Sequence, residues 1–235
     1  MKILVIYKRE LKSYFLSPLA YVLVGFLLLI SGYFFATFVL TTQYALMSPV
    51  FSNMVFVFMF ISPILTMRLI SEEMKNGTDQ LLMTSPLKIT DMVLGKYFAS
   101  LTVYALSLVI SLIYPLYLKI YSTPDFGPIL TGYIGTLLMG AAFIAIGIFA
   151  SSLTENQLIA GVIGFSILLL FWIISWLGDV FQGTAKTIVE NLSLLQRFNN
   201  FQNGVLSLND IVFYLSVIIF FVFVTIMVVD KRRWS

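Results

Sequence analysis

SYFLSPLAYVLVGFLLLISGYFFATFVLTTQYALMSPVFSNMVFVFMFISPILTM, Ser13 to Met67, contains no charged side chain. No globular core requires such a length, and lipid is the environment that accepts it. The whole chain agrees: 235 residues, 60% hydrophobic and 11% charged, with a mean hydropathy of +0.98. A soluble domain carries about 25% charged residues. The expected class is an all-α, polytopic integral membrane protein built as a single transmembrane domain over 1–235.

A spanning helix needs ~20 mainly apolar residues to cross a hydrocarbon core of about 30 Å. Six segments qualify: 19–40, 50–70, 92–118, 129–153, 158–177 and 211–229. The fourth and fifth are joined by a tight hairpin at Thr154–Gln157. Pro63 and Pro115 are candidates to kink the second and third spans. The first span is read as a retained anchor, because its apolar run is too long for a signal peptide and no small-residue cleavage site follows.

Lys and Arg near span ends set orientation. With the N-terminus inside, Lys2, Lys8, Arg9, Lys12, Arg68, Lys75, Lys88, Lys96, Lys231, Arg232 and Arg233 are inner, and Lys119, Lys186 and Arg197 are outer. Eleven and three account for all fourteen basic residues. An even number of spans returns the C-terminus to the same side. Both termini are therefore expected in the cytoplasm, and the chain in the cell (plasma or inner) membrane. The leader, 1–17, reads as an amphipathic interfacial helix. Ile3, Leu4, Tyr7, Leu11, Tyr14 and Phe15 fall on one face, Lys2, Lys8, Arg9 and Lys12 spread over the other, and Val5, Ile6 and Leu16 break the pattern. It either sets topology or touches a partner. Pro18 ends it. Residues 178–210 suggest short helices resting on or dipping into the outer leaflet.

Several chemistries are excluded. The chain has neither Cys nor His, so thiolate and imidazole catalysis and ligation are impossible. The pair Glu72-Glu73 resembles part of an intramembrane metalloprotease motif, but the required His ligands are missing. A phosphate-binding loop is absent too: the only Gly-Lys pair, Gly95-Lys96, has Thr90 where the first Gly belongs and Tyr97 after it. No metal or cofactor site is expected in this chain, and the charge gives no sign of a nucleic-acid partner. A carrier usually betrays itself by ionisable groups in mid-membrane, and none lies near the centre of a span. An ATP-independent channel or a membrane scaffold remains the alternative to a permease, and an enzyme is not expected.

The polar stretch Ser71–Lys88, SEEMKNGTDQLLMTSPLK, is the one substantial loop on the inner side. Gly77 permits a turn. Thr78 can cap a short helix, with Asp79 favourable in its first turn. Leu81, Leu82 and Met83 form an apolar ridge. Ser85-Pro86 restarts the chain, and Thr90-Asp91 repeats the capping signal before the third span.

The run EEMKNGTDQLLMTSPLKITDMVLGK resembles the loop of ABC type-2 exporter permeases, which reads like EE…GT…LL.TSP……..GK. Glu72, Glu73, Gly77, Thr78, Leu81, Leu82, Thr84, Ser85, Pro86, Gly95 and Lys96 match in order. Towards the C-terminus, Gly204, Val205 and Asp210 are similar to the branch associated with gliding motility and nitrous-oxide-reductase maturation, with Leu206 standing for Ile. The resemblance implies that the loop 71–90, including Asp79 and Lys88, is a coupling helix seated in a cytoplasmic ABC ATPase, which would bind ATP and Mg. It also implies that the leader is a connecting helix, that residues before the last span gate the outer leaflet, and that a second permease copy or paralogue completes the path.

Overall fold

A computed structural model describes residues 2–77, 88–180 and 193–232. Ten helices are described: α1 Lys2–Leu16, α2 Pro18–Thr42, α3 Ser48–Thr66, α4 Arg68–Lys75, α5 Ile89–Ser111, α6 Ile113–Tyr121, α7 Phe126–Leu153, α8 Gln157–Val180, α9 Leu194–Gln202 and α10 Leu208–Arg232. Six helical stretches are long and apolar enough to cross a membrane: Pro18–Thr42, Ser48–Lys75, Ile89–Tyr121, Phe126–Leu153, Gln157–Ser175 and Leu208–Arg232. The six-span, all-helical expectation holds.

Two spans are longer than a bilayer needs. Ser48–Lys75 has 28 residues and Ile89–Tyr121 has 33. At 1.5 Å per residue these reach about 42 and 50 Å. The extra length is helix where the sequence suggested loop. Ser71–Lys75 continues α4, and α5 starts at Ile89, so Thr90 and Asp91 lie in its first turn rather than ahead of it.

Both long spans are jointed, and the joints are satisfied by other helices. Pro115 has no N–H to offer the Ser111 carbonyl; the Tyr133 hydroxyl of α7 donates to it instead at 2.9 Å. At the α3–α4 break, Ser151 of α7 donates to the Met67 carbonyl at 2.8 Å and accepts from the Ile70 and Ser71 amides at 3.1 and 3.2 Å. One hydroxyl thus serves three backbone groups at the break, where the Ser71 hydroxyl also donates to the Met67 carbonyl.

The centre of the bundle is α7, against which α3, α4, α5, α8, α9 and α10 all pack. Its sequence, FGPILTGYIGTLLMGAAFIAIGIFASSL, is rich in Gly and Ala. Lipid tails are as apolar as Leu, so close backbone approach by small residues is what holds such helices together. A Cβ at Gly135 would stand 2.6 Å from Phe201 Cβ. At the hairpin expected at Thr154–Gln157, Asn156 Oδ1 accepts from the Leu158 amide at 2.9 Å and starts α8. Ser17 and Pro18 separate α1 from α2 with Pro at the first helical turn, as expected.

Gly135→Ala is expected to lower stability by about 1–3 kcal/mol, because Phe201 must shift. Gly161→Ala, whose Cβ would meet only Met67 Sδ at 3.4 Å, should be neutral or gain up to ~1 kcal/mol of helix propensity. Thermal unfolding of the two variants in detergent checks the contrast.

Candidate functional site

The leader packs along α5, most closely at Gly95. A Cβ at Gly95 would lie 2.8 Å from Ile6 Cγ2 and 3.2 Å from the Tyr7 amide nitrogen. Only glycine lets the two helices lie so near each other. One turn further along α1, Glu10 comes over Lys96, the residue next to that glycine. From the other side α4 delivers Glu73. Lys96 Nζ then sits 3.2 Å from Glu10 Oε1, 2.9 Å from Glu73 Oε1 and 2.6 Å from the Leu69 carbonyl. Three acceptors match the three protons of an ammonium.

Arg9 closes the arrangement, with one guanidinium nitrogen 2.6 Å from both Glu10 Oε1 and Glu73 Oε1. Lys96 is 1% exposed, against 48% for Arg9. Two cations therefore share two carboxylates drawn from α1 and α4, and the inner cation is buried. Burial pushes the Glu10 carboxyl up, but the charges of Lys96 and Arg9 and their hydrogen bonds outweigh it and hold the group below its usual value.

The clamp residues form one wall of an open cleft of about 290 Å³ between α1 and α4, which also reaches Ser13, Arg68, Glu72 and Asn76. Its floor is fixed by Tyr14, fully buried, whose hydroxyl donates to the Leu65 carbonyl at 2.8 Å and lies 3.1 Å from Ser100 Oγ. The Arg68 guanidinium stands 5.2 Å over the Tyr14 ring.

The expected site residues divide. Glu73 enters the clamp, whereas Glu72 is exposed and only borders the cleft. Neighbours on a helix point about 100° apart, and here that rotation turns Glu73 into the clamp and leaves Glu72 outside it. Gly77 takes φ +66° in open space, the turn glycine foreseen. Lys88 precedes α5, where its carbonyl accepts from the Asp91 and Met92 amides at 2.9 and 3.2 Å. Thr78, Asp79, Leu81, Leu82, Thr84, Ser85 and Pro86 lie outside the described residues, as does the Lys2 side chain. Lys8 and Lys12 are exposed.

The apolar face of α1 needs correcting. Ile6 and Tyr14 are its buried residues, at 3% and 1%, while Leu4 is 54% exposed. The face that docks runs Ile3, Ile6, Tyr7, Glu10, Tyr14, and Ile6 belongs at its centre. Glu10 was missed in the sequence, although it is the leader's only carboxylate and shares this 3–4 spacing.

At the opposite end of the bundle, α9 is amphipathic: Asn199 and Asn200 are exposed and its apolar face is buried. Leu194, Phe198 and Phe201 are at most 1% exposed. Its polar groups are paired across the fold. Arg197 meets Asp210 at 2.9 Å, Asn200 donates to Asp210 at 2.8 Å, Gln202 donates to Ser52 at 2.7 Å, and Thr131 donates to the Phe201 carbonyl at 2.7 Å. One short amphipathic helix of the kind expected is found at 194–202, packed into the bundle by its apolar face; residues 181–192 lie outside the described residues.

Lys96→Ala is expected to cost about 3–5 kcal/mol, since it leaves two carboxylates facing each other beside Arg9. Lys96→Met combined with Glu10→Gln should recover much of that. Unfolding midpoints, with protease sensitivity of α1, would report both. A Lys96→Ala protein as stable as its parent would mean the clamp contributes nothing net. Because the folded Glu10 value is depressed, its contribution is complete above the ordinary Glu value of about 4.3 and lost as pH falls through the folded one. Protease access to α1 should accordingly rise on acidification below about pH 4 and change little between neutral and mildly acidic pH.

Comparison with protein families gives one match, the ABC-2 family transporter protein, over residues 42–230. That span starts at the end of α2 and runs nearly to the end of α10. Comparison with curated proteins gives no match. The matched span covers 230 − 42 + 1 = 189 of the 235 residues and five of the six apolar spans, and on that ground the chain belongs to the ABC-2 family of transporter proteins, as a multi-pass transmembrane permease subunit.

Proposed function

We propose that this permease is driven by a separate cytoplasmic ABC ATPase, which docks on the segment 78–87 and the helix ends that flank it. The observation that carries the reading is the clamp. It ties α1, α4 and the first turns of α5 into one body, and α4 and α5 are the helices that lead into and out of that segment at Lys75–Gly77 and Lys88. A force applied to the segment by a partner would reach three helices at once. Both termini would lie in the cytoplasm of a cell-membrane protein; Arg232, near the C-terminus, donates to the Leu153 carbonyl at 3.0 Å and contacts Met74 at the same end as the clamp.

A second permease chain, identical or paralogous, would complete the path. The wide exposed apolar faces of α2 and α10, which include Tyr21, Leu29, Ile219 and Phe223, are available to lipid and to that neighbour. ATP and Mg would be bound by the ATPase, not by this chain.

Burying a Leu side chain is worth about 1.5–3 kcal/mol. Leu81→Ser with Leu82→Ser should therefore abolish most co-purification of the ATPase while leaving the six spans inserted. Glu72→Ala, at an exposed carboxylate, should cost roughly 0–1 kcal/mol. A double variant that expresses normally and retains a fully coupled ATPase would make the segment a plain connector.

Orientation has its own test, because the chain has no Cys. A Cys placed at Asn76 should resist an impermeant thiol reagent in intact cells, and one at Ser122 should react. Labelling at Asn76 from outside would reverse the proposed topology.

A further inference from the structure

We propose that the cleft between α1 and α4 is a binding site for the headgroup of a phosphatidylethanolamine, a zwitterionic lipid with a phosphate near the membrane and a primary ammonium two carbons further out. The cleft borders the clamp, whose Arg9, Glu10, Glu73 and Lys96 also line it, and binding there does not require the ATPase. The cleft presents a cation and an anion that the clamp does not consume. Among the described residues, neither Arg68 nor Glu72 forms a salt bridge; Arg68 is held by the Tyr14 ring and by a 3.3 Å hydrogen bond to Ser17 Oγ.

The order of these charges selects the ligand. Ser17 and Pro18 mark the point where the chain enters its first span, so Arg68 lies at the level of the bilayer boundary. Glu72 is one turn further out along α4, about 6 Å, and Asn76 follows one more turn on, at the C-terminal cap of the helix. A phosphate at the bilayer boundary meets the planar donor fork of Arg68, with the exposed Ser13 hydroxyl on the opposite wall. The ammonium then reaches the Glu72 carboxylate and the Asn76 carbonyl, two acceptors for its protons.

The chemistry discriminates among lipids. A choline headgroup has no N–H to donate. A glycerol headgroup is neutral beyond its phosphate and brings no cation to Glu72. The cleft volume of about 290 Å³ suits a headgroup and not a whole lipid. The acyl chains would run outside it, along exposed Leu16, Tyr21 and Val22.

The test uses the full-length protein in mild detergent. Native mass spectrometry would follow competition between phosphatidylethanolamine, phosphatidylcholine and phosphatidylglycerol at equal concentration. The expected preference for phosphatidylethanolamine is about tenfold, the effect of one charge-assisted hydrogen bond. Glu72→Gln, at an exposed side chain that leaves the fold intact, should erase that preference while keeping a parental unfolding midpoint. Arg68→Gln should weaken all three lipids.

Soluble glycerophosphoethanolamine should displace the lipid only in large excess. Displacement at equal concentration would mean a soluble ligand and would overturn the lipid assignment. Equal retention of the three lipids, or a preference unchanged in Glu72→Gln, would overturn the site itself. So would loss of ATPase pull-down in Glu72→Gln without lipid selectivity in the parent, since the cleft would then receive a side chain of the partner.

Discussion

A lysine ammonium sealed from water at the end of a lipid-embedded bundle is tolerable only if its protons and its charge are matched nearby. Lys96 is matched by Glu10, Glu73 and the Leu69 carbonyl. That requirement dictates much of the surrounding structure. It fixes how far α1 lies along α5, which face of α4 turns inward, and why helix persists past the bilayer boundary to Lys75. Gly95 is the steric counterpart of the same constraint, since a larger residue there would lift Glu10 away from the ammonium. Charge alone would leave the leader free to slide along the membrane surface; charge and close contact together give it one position.

The apolar part of the molecule follows a different logic. In the membrane no hydrophobic effect drives helices together, so α7 associates through small residues and through hydroxyls that repair backbone breaks. Tyr133 and Ser151 lie on this one helix and each serves a joint in a neighbouring span. The long spans can therefore change direction without stranding a carbonyl in hydrocarbon. Irregular backbone survives there because α7 supplies the missing bonds.

How much of this could be read from the sequence depends on the range of each interaction. The six spans were legible because hydropathy is a local sum, and the leader because its 3–4 spacing is local too. The ion clamp was not, since its members lie on three helices and only packing brings residues 10, 73 and 96 together. Glu72 and Glu73 looked like a unit in one dimension, and helix rotation separates them. The segment LLQRFNNFQ of α9 was legible as a short amphipathic helix. What was not legible is that Arg197, Asn200 and Gln202 have partners on α3 and α10, since only packing brings those residues together. The Asp210 that follows was visible as a sequence motif, but its role as the acceptor for two of those groups was not.

The position of α9 bears on how that end of the bundle could ever move. Its residues are bonded to Ser52 of α3, Thr131 of α7 and Asp210 of α10, and the capping Ser193 lies 2.9 Å from Ser175 of α8. Each bond alone is worth only about 1 kcal/mol, within reach of thermal agitation. They share one short rigid element, however, so no single bond can be released by sliding the helix without distorting the rest. Such an element acts as a bolt rather than a curtain: its bonds to four helices have to break together before it can leave its place.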